Sequence, residues 1–404
     1  MGRPLEGIKV VEVAMWAFVP ACGGMLADLG AEVIKIEPPS GDPLRGLKIV
    51  SLGGGESAFD YSWESYNRGK RSVTLDLKQE AGRAVLDRLL EGADVFLTNL
   101  LPPARRSMRI DAETLRAAFP NLIYASGSAL GPNGPESDKG GYDAITFWAR
   151  GGIASSLTGE DAVQPVGPPG PAFGDTLSGA MLAGGVCAAI ARRALTGEAG
   201  EVDVSLLGAA LWSQQRSICQ ATADGLRKFA RPDPARPHNV LVANYRTSDG
   251  RFVALCMLQA DRYWARFCDV AGRPDLAEDL RFANSAARRE NLTDCLAAMT
   301  ALFASRPLAE WKEILARQDG QWDVVQDVGE IADDLQVQAN GYLKQVPAGD
   351  GMSLPMVSVP ILFEGAPLPS TRSPELGADS DTVLAGLGYG EDEIIDLKVQ
   401  GVVF

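Results

Sequence analysis

The sequence predicts an α/β protein with two domains, the larger built on a doubly wound, mostly parallel sheet and the smaller of α+β type. Over the first 130 residues, short β-rich runs alternate with helical runs, and strands in that arrangement form a parallel sheet covered on both faces. Beyond a proline-rich segment at 231–237, the pattern changes to a hairpin followed by helices. The chain has 404 residues, 46% of them hydrophobic, and is long enough for two cores.

The elements of the larger domain follow from apolar runs and from residues that start or stop helices. Apolar runs typical of buried strands lie at residues 8–13, 32–36, 72–77, 95–97, 122–125 and 201–204. Pro20 favours the start of a helix over 20–29, and Gly30 stops it. Further helices are predicted at residues 79–90, 112–118, 174–193 and 206–226.

The smaller domain begins with a predicted hairpin of residues 242–247 and 252–257, joined by Ser248-Asp249-Gly250. Helices are predicted near residues 260–270, 286–304 and 307–317. The elements after residue 333 are too few for a core of their own, so we expect them to return to the first domain. The prediction is therefore a large Rossmann-like domain of residues 1–225 and 333–404 and a small α+β domain of residues 226–332.

Charge and composition exclude several classes of function. The 38 basic and 52 acidic residues give a net charge of -14, which lacks the basic footprint of a nucleic-acid-binding protein. No apolar run approaches the roughly 20 residues that span a bilayer, and the N-terminus lacks the apolar core of a signal peptide. The six cysteines show no CxxC spacing and are interpreted as reduced core residues. We expect a cytoplasmic protein without a membrane partner.

Two further classes of site are excluded by missing motifs. The single histidine, His238, excludes a His-rich metal site, and no GxSxG accompanies it for a serine triad. The turn after the first predicted strand, residues 14–20, has no glycine, so the GxGxxG motif of dinucleotide sites is absent. Glu37 ends the second strand as a ribose-binding acid would, but it stands without that motif. We expect neither a metal nor NAD.

Basic residues are concentrated in three loops of this acidic chain. Arg45 follows the second predicted strand, and Arg105 and Arg106 follow the strand at 95–97. Lys70 and Arg71 lead into the third strand. Because open α/β sheets bind ligands at the carboxyl ends of their strands, these cations indicate a phosphate-rich ligand. The alternative is solvated surface charge.

Four stretches of the chain, at residues 4–8, 26–42, 67–77 and 173–175, resemble the family III coenzyme A transferases of the CaiB/BaiF type. That family contains formyl-CoA transferases and α-methylacyl-CoA racemases. The resemblance covers nearly the whole chain, strongly over residues 4–200 and more weakly after 230. It implies that acyl-CoA and a carboxylic acid are the substrates, that the large domain binds CoA, and that two chains form an interlocked homodimer. The cations expected to contact CoA are Arg71, Lys70, Arg105, Arg106 and Arg45.

Asp175 occupies the place of the aspartate that carries the chemistry in this family. The resemblance implies that Asp175 forms an acyl-aspartyl anhydride and then an aspartyl-CoA thioester. The residues themselves place Asp175 at the start of a helix, where it is either an N-cap or a nucleophile kept ionised by the helix N-terminus.

Tyr142 and Gln259 bear on which reaction of the family is catalysed. The racemases use a His-Asp pair and a glutamate to exchange a proton, and here Tyr142 replaces the histidine and Gln259 the glutamate. Tyrosine is a poor base at neutral pH and glutamine cannot accept the proton, so the pair favours CoA transfer between acids. The alternatives are an α-methylacyl-CoA racemase or isomerase, a non-catalytic CoA-binding homologue, and Tyr142 as a core aromatic.

The first turn indicates the size of the acyl group. Ala17 stands where formyl-CoA transferase has a glutamine, which argues against oxalate and formate as substrates. Trp16 and Phe18 flank it and predict a substrate pocket for a bulkier or more apolar acyl group. We expect Trp16, Ala17, Phe18 and Gln259 to line this pocket. The alternative is packing in the core or in the dimer.

Overall fold

The structure is a computed structural model that describes residues 2–47, 59–229, 233, 236–349 and 351–404. Contacts divide the chain into two units, one of Met1–Phe229 with Leu335–Phe404 and the other of Ala230–Asp334. The proline-rich boundary predicted at 231–237 falls largely outside the described residues.

The first unit is built on a six-stranded parallel sheet. Its strands are β1 Lys9–Val13, β2 Glu32–Glu37, β3 Arg71–Thr74, β4 Val95–Thr98, β5 Ile123–Ser128 and β6 Glu201–Ser205. They lie in the order β3-β2-β1-β4-β5-β6, and each neighbouring pair is parallel. The strand order reverses between β1 and β4, and in such sheets the crevice at the carboxyl ends of these strands receives the ligand. The predicted doubly wound fold is confirmed.

The α-helices of this part of the chain are α1 Phe18–Asp28, α2 Tyr61–Asn67, α3 Glu80–Glu91, α4 Pro102–Ser107, α5 Ala112–Ala118, α6 Ile153–Leu157, α7 Phe173–Thr196, α8 Leu206–Ser213 and α9 Gln215–Asp224. A 3-10 helix, Pro43–Gly46, follows β2, and a π-helix, Ala144–Arg150, precedes α6. The predicted helix at 206–226 is instead α8 and α9, which break at Gln214, whose side-chain amide donates to Gly151 O at 2.7 Å.

Both faces of the sheet are covered by helices, which explains why apolar residues predominate in its central strands. Val10 and Val33 pack on one face with residues of α1, α7 and α8. Val11, Ile34 and Phe96 pack on the other face with residues of α3. Because successive side chains of a strand point to opposite faces, two buried faces favour apolar residues along the strand, and a polar strand residue such as Glu12 or Lys35 is buried with partners.

The second unit contains a three-stranded antiparallel sheet in the order β7-β8-β9. Its elements are β7 Val242–Arg246, β8 Phe252–Cys256, α10 Ala260–Val270, α11 Pro274–Glu278, α12 Ser285–Glu290, α13 Leu292–Phe303, α14 Leu308–Leu315 and β9 Trp322–Val324, with 3-10 helices at Leu280–Phe282 and Val328–Asp333. The predicted hairpin is confirmed, and the helix predicted at 286–304 is α12 and α13, separated at Asn291. The Phe303 ring stacks on Tyr245 at 4.8 Å in the core of this unit.

The C-terminal segment belongs to the first unit. It consists of α15 Leu335–Asn340, β10 Leu343–Gly349, β11 Met352–Val357, β12 Leu362–Phe363, β13 Ala366–Pro367, α16 Ser380–Gly386 and α17 Glu391–Val399. Val383 and Leu384 of α16 and Ile394 of α17 pack with Val85 and Leu86 of α3 against the sheet. These last two helices therefore complete one of the two layers over the sheet.

In the described part of the chain, α7 is the one helix long and apolar enough to cross a membrane by length and composition. It contacts α1, β5, β6 and α8, and its Leu182 and Val186 belong to the core beneath the sheet. These contacts are those of a helix that covers one face of a sheet.

A buried charge network, consisting of Glu12, Lys35, Asp42 and Lys70, joins the first two strands to the loops that follow β2 and precede β3. Lys70 Nζ donates to both carboxylate oxygens of Glu12, at 2.9 and 2.8 Å. Lys35 Nζ lies 3.2 Å from Glu12 Oε1 and 2.9 Å from Asp42 Oδ2. All four side chains are nearly inaccessible, and their two positive and two negative charges balance.

The packing of α1 against this network predicts the effect of one substitution. A Cβ atom at Gly23 would lie 1.9 Å from Glu12 Oε2, so Gly23→Ala must displace a buried ion pair. We expect it to lower the free energy of unfolding by about 1–3 kcal/mol in urea denaturation. The control is Gly386→Ala in α16, where a Cβ meets nothing within 4 Å. Equal urea midpoints for the Gly23 variant and the unchanged protein would contradict the prediction.

Candidate active site

Asp175 is the third residue of α7 and lies on the wall of a cavity of about 440 Å³. The helix begins after Ala172, whose φ of 53° is left-handed. At Gly174 a Cβ atom would lie 2.2 Å from the Phe147 ring and 2.4 Å from Asp143 Oδ1. Glycine at this position therefore allows Asp143 to approach the first turn of α7, where Gly174 N donates to Asp143 Oδ1 at 3.1 Å.

The start of a helix is expected to lower the pKa of an aspartate, but the surroundings of Asp175 raise it. Burial, followed by the negative charge of Asp143, raises the pKa of Asp175 to about 7. The amides of Phe173 and Gly174 bond to Asp143, so this neighbouring carboxylate receives the stabilisation expected for Asp175. Asp175 is consequently more basic, and as a carboxylate more nucleophilic, than an aspartate in water.

Two aromatic side chains share the cavity with Asp175. The rings of Trp16 and Tyr142 meet edge to face, with centroids 5.7 Å apart and planes at 89°. Tyr142 is exposed and lies two residues before the π-helix, while Trp16 is half-buried in the turn between β1 and α1. The structure thus brings Tyr142, Trp16 and Asp175, predicted from separate parts of the sequence, to one cavity.

The rest of the cavity wall is largely apolar, with two cations at its side. Its apolar side chains include Met15, Phe18, Leu100, Leu101, Ile145 and Leu206. The cations are Arg105 and Lys139. Lys139 pairs with Glu136 at 2.9 Å, whereas no carboxylate pairs with Arg105 among the residues that the structure describes. Arg105 Nη1 contacts the Tyr124 hydroxyl at 3.3 Å.

A second cavity, the strand-end cleft, opens at the carboxyl ends of β1, β2 and β3 and has a volume of about 240 Å³. Its lining includes Val13, Ile36, Glu37, Leu75 and Lys78. Three further residues, Met15, Leu100 and Ala104, line both this cleft and the Asp175 cavity. The two spaces therefore adjoin at the edge of the sheet where the strand order reverses.

Two of the predicted cofactor cations, Lys70 and Arg71, line neither of these cavities. Lys70 is buried, and its ammonium group donates to Glu12, Asn67 Oδ1 and Pro20 O, which leaves no N–H for a ligand. Arg71 is the first residue of β3 and pairs with Glu32, the first residue of β2. Arg71 therefore lies at the amino edge of the sheet, opposite the cleft.

Arg45 and Arg106 lie near the two cavities. Arg45 makes a bidentate pair with Glu37, both contacts being 2.8 Å, and its guanidinium lies 3.6 Å from the centre of the Trp63 ring. Glu37 lines the strand-end cleft, so Arg45 stands behind the wall of that cleft. Arg106 is exposed and lines a shallower pocket beside the Asp175 cavity. Of the five predicted cations, Arg105 lines the Asp175 cavity itself.

Two predicted substrate-pocket residues do not line the cavity. Ala17 is buried at the start of α1, where its carbonyl accepts from Ala21 N at 2.7 Å. Because the backbone of Trp16 is left-handed, Trp16 and Phe18 line the cavity while Ala17 does not. Gln259 belongs to the second unit, where it is exposed and precedes α10.

Sequence reasoning assigned no role to two residues beside Asp175. Asp143 stands next to Tyr142 in the sequence, and that adjacency is the signal that could have identified it. Tyr66, from the unpredicted seven-residue helix α2, hydrogen bonds with Thr176. Burial raises the pKa of Tyr66, and the charges of Asp175 and Asp143 add to the effect, which places this hydroxyl close to both carboxylates. Among the described residues, no group of three or more His, Cys, Asp or Glu side chains could hold a metal ion.

Comparisons with known proteins cover nearly the whole chain. The family model of CoA-transferase family III matches residues 5–380. (R)-2-hydroxy-4-methylpentanoate CoA-transferase of Clostridioides difficile is 31% identical over 400 residues, 99% of either chain. Cinnamoyl-CoA:phenyllactate CoA-transferase of Clostridium sporogenes is 32% identical over 97% of this chain and 95% of its own. The crystal structure of a CAIB/BAIF family protein from Brucella suis superposes with a TM-score of 0.80 at 30% identity, covering 96% of this chain and 100% of that one.

Proposed function

Because the chain belongs to CoA-transferase family III, and is thus a CoA-transferase acting on acyl-CoA and carboxylate substrates, we propose that Asp175 is its nucleophile. Asp175 would transfer CoA from a thioester to a second carboxylic acid through covalent intermediates. The observation that carries this proposal is the position of Asp175, on the wall of an apolar cavity that adjoins the strand-end cleft through Met15, Leu100 and Ala104.

The proposed reaction consists of four displacements. A carboxylate oxygen of Asp175 attacks the thioester carbonyl, the C–S bond breaks, and CoA leaves as a thiolate from an acyl-aspartyl anhydride. The thiolate attacks the aspartyl carbonyl, which forms aspartyl-CoA and releases the first acid as its carboxylate. The acceptor carboxylate attacks aspartyl-CoA and expels the thiolate from a second anhydride. The thiolate then attacks the acceptor carbonyl, giving the new thioester and free Asp175.

The described side chains suit the separate parts of this reaction. The apolar wall excludes water that would hydrolyse the anhydride. The Tyr142 hydroxyl is a donor on that wall, and we assign it to the oxyanions of the tetrahedral intermediates. Among the described residues, the Tyr142 ring contacts the ring of Trp16 and no side chain engages its hydroxyl, which would leave that hydroxyl for the substrate.

The adjoining strand-end cleft and Asp175 cavity support one arrangement for bound CoA. The strand-end cleft would hold the nucleotide, with the exposed ammonium group of Lys78 beside its phosphates. The pantetheine arm would pass Met15, Leu100 and Ala104 to bring its sulfur to Asp175. Arg105, which lacks a carboxylate partner in the described chain, would face the thioester end.

We also propose that the working protein is a homodimer in the cytoplasm, with interlocked chains as the family resemblance implies. Large apolar side chains on successive helices support a protein partner: Leu195 of α7 is 86% exposed, and Trp212 of α8 is 64% exposed. Sedimentation equilibrium should give twice the chain mass of 42.8 kDa. A monomer mass at micromolar concentration would contradict this part of the proposal.

The test of the proposed function is an exchange assay. The protein is incubated with an acyl-CoA and an isotopically labelled acid, over short, branched and aromatic acyl groups, and labelled thioester is measured. Hydroxylamine should convert the intermediates to a hydroxamate at Asp175, which is visible in the peptide mass. Deuterium uptake at the α-carbon without CoA exchange would favour a racemase instead. Tight CoA binding without turnover, unchanged in Asp175→Ala, would favour a non-catalytic homologue.

The raised pKa of Asp175 predicts the pH dependence of the reaction. Only the carboxylate form attacks, so kcat/KM should fall about tenfold for each pH unit below about 7 and level off above it. In Asp143→Asn the neighbouring negative charge is removed, so the acid limb should move to lower pH. The measurement is kcat/KM for one acyl-CoA between pH 5 and 9. An acid limb centred near pH 4 in the unchanged protein would contradict the prediction.

A further inference from the structure

We infer that Trp16 is a specificity-determining residue of the acyl site and that it selects branched and aromatic acyl groups over acetyl. This inference rests on the proposed function, because it takes the acyl group to be bound beside Asp175. It is carried by the conformation of Trp16, by the side chains that hold it, and by the surface that its ring presents to the cavity.

The backbone of Trp16 has a φ of 67°, in the left-handed region. Of the described residues other than glycine, only Arg109, Ala172 and Glu364 share a positive φ. A bulky side chain in this region costs free energy, and the conformation persists only when surrounding groups fix it. The fold therefore keeps Trp16 strained at this place, between β1 and α1.

Three side chains hold the turn that contains Trp16. Asn99 accepts from Met15 N at 3.0 Å and donates to Met15 O at 2.6 Å, which fixes the peptide groups before Trp16. Asp42 Oδ1 accepts from Trp16 N at 3.1 Å. Lys35 Nζ lies 2.9 Å from Asp42 Oδ2, so the clamp on Trp16 is anchored in the buried charge network.

The same network also holds the start of the turn. Lys35 Nζ donates to Ala14 O at 2.8 Å while it pairs with Glu12 and Asp42. The Asp42 backbone is held in turn, because Asp42 N donates to Glu37 Oε2 at 3.0 Å. The turn is thus fixed at Ala14, Met15 and Trp16 in succession.

This arrangement does not serve to bury the indole. Trp16 is half-buried, whereas its neighbours Ala14, Ala17 and Phe18 are each about 5% exposed. The ring lies edge to face with Tyr142 and forms one wall of the Asp175 cavity. A strained residue whose ring lines a cavity instead of filling the core is best explained by what the cavity binds.

The surface around the Trp16 ring defines the class of acyl group. Phe18, Ile145 and Leu206 continue the apolar wall beside the Trp16 ring. Each methylene buried on such a wall is worth about fourfold in affinity. A branched or aromatic acyl group therefore binds more tightly than acetyl, which is too small to cover the wall. The flat indole and phenol rings suit an aromatic ring inserted beside them.

The experiment compares Trp16→Ala and Trp16→Phe with the unchanged protein. The readout is kcat/KM for acetyl-CoA, isovaleryl-CoA and phenylacetyl-CoA with one fixed acceptor acid. The unchanged protein should prefer the two larger groups by at least about tenfold, and Trp16→Ala should reduce this ratio at least about tenfold. The loss of kcat/KM should be larger for the two larger thioesters than for acetyl-CoA, and Trp16→Phe should be intermediate. The control Glu364→Ala removes an exposed side chain at another left-handed position and should leave the ratio unchanged.

Two outcomes would overturn the inference. An unchanged ratio in Trp16→Ala would mean that the indole serves packing within the chain or between chains. An equal loss for all three thioesters would assign Trp16 to catalysis in general and not to selection.

Failure of the proposed function is distinguished from failure of this inference by a binding measurement. If the unchanged protein transfers no acyl group, the proposed function fails, and calorimetric Kd values for the same three thioesters then decide the role of Trp16. A binding preference that Trp16→Ala removes would support it, and equal Kd ratios would overturn it.

Discussion

Asp175→Asn should lower kcat for CoA transfer by at least about 10³-fold, because an amide cannot form the anhydride on which every later step depends. The substitution preserves the shape of the side chain and leaves the apolar wall and the strand-end cleft in place. The Kd of the acyl-CoA should therefore change little. Initial rates of label transfer at pH 8 measure the effect on kcat.

The thermal stability of Asp175→Asn distinguishes a loss of catalysis from a loss of folding. Folding raises the pKa of Asp175 from its ordinary value near 3.8 to about 7, so the folded chain binds a proton more tightly than the unfolded chain. Stability from this group is thus greatest at low pH and is lost as pH rises toward about 7. Asp175→Asn removes the unfavourable buried charge and should raise the Tm at pH 8. The control Asp161→Asn alters an exposed loop aspartate and should change neither quantity. More than a tenth of the original activity in Asp175→Asn would contradict the assignment.

Glu12→Gln should lower the free energy of unfolding at pH 7 by about 3–5 kcal/mol, because it leaves Lys35 and Lys70 buried with only Asp42 to balance them. Glutamine occupies nearly the same volume, so the loss does not arise from a cavity. Urea denaturation, followed by fluorescence, measures it.

The same variant should show a characteristic pH dependence. Burial already lowers the pKa of Lys70 to about 8, and loss of the Glu12 charge should lower it further. The unfolded chain then binds more protons than the folded one, so stability of the variant should rise as pH increases from 7 to 10. The matched control is Glu32→Gln, which breaks an accessible pair with Arg71 and should cost less than about 1 kcal/mol. Equal losses for the two variants would show that the buried charge network contributes no more than a surface pair.

The sheet could be predicted because both of its faces are covered, so that short runs rich in Val and Ile, such as those of β1 and β2, identify its strands. The ends of elements were harder to predict. Whether Arg71 lies at the amino or the carboxyl edge of the sheet depends on where β3 begins, and local pattern leaves that open. Lys70 was assigned to a ligand because its partner, Glu12, is 58 residues away in the sequence.

The residues of the site could be identified from the sequence, whereas properties that depend on residues far apart in the chain could not. Asp175 and Tyr142 were predicted through the family resemblance of this chain, and the structure places both on one cavity. The raised pKa of Asp175 could not be predicted, because it arises first from burial in the folded chain and then from the charge of Asp143, which accepts from Gly174 N across 31 residues of sequence. The positive φ of Trp16 also had no local signal, since glycine and not tryptophan favours that region.

The most direct test of the covalent role of Asp175 follows oxygen atoms through the reaction. With both carboxylate oxygens of the acceptor acid replaced by ¹⁸O, the second anhydride leaves one labelled oxygen on Asp175 when the thiolate attacks the acceptor carbonyl. Mass spectrometry of the peptide that contains Asp175 should therefore show one ¹⁸O after a single turnover. In further cycles an oxygen of Asp175 leaves with each donor acid, so the second carboxylate oxygen should become labelled as well. Rapid CoA transfer with no label in that peptide would contradict the account.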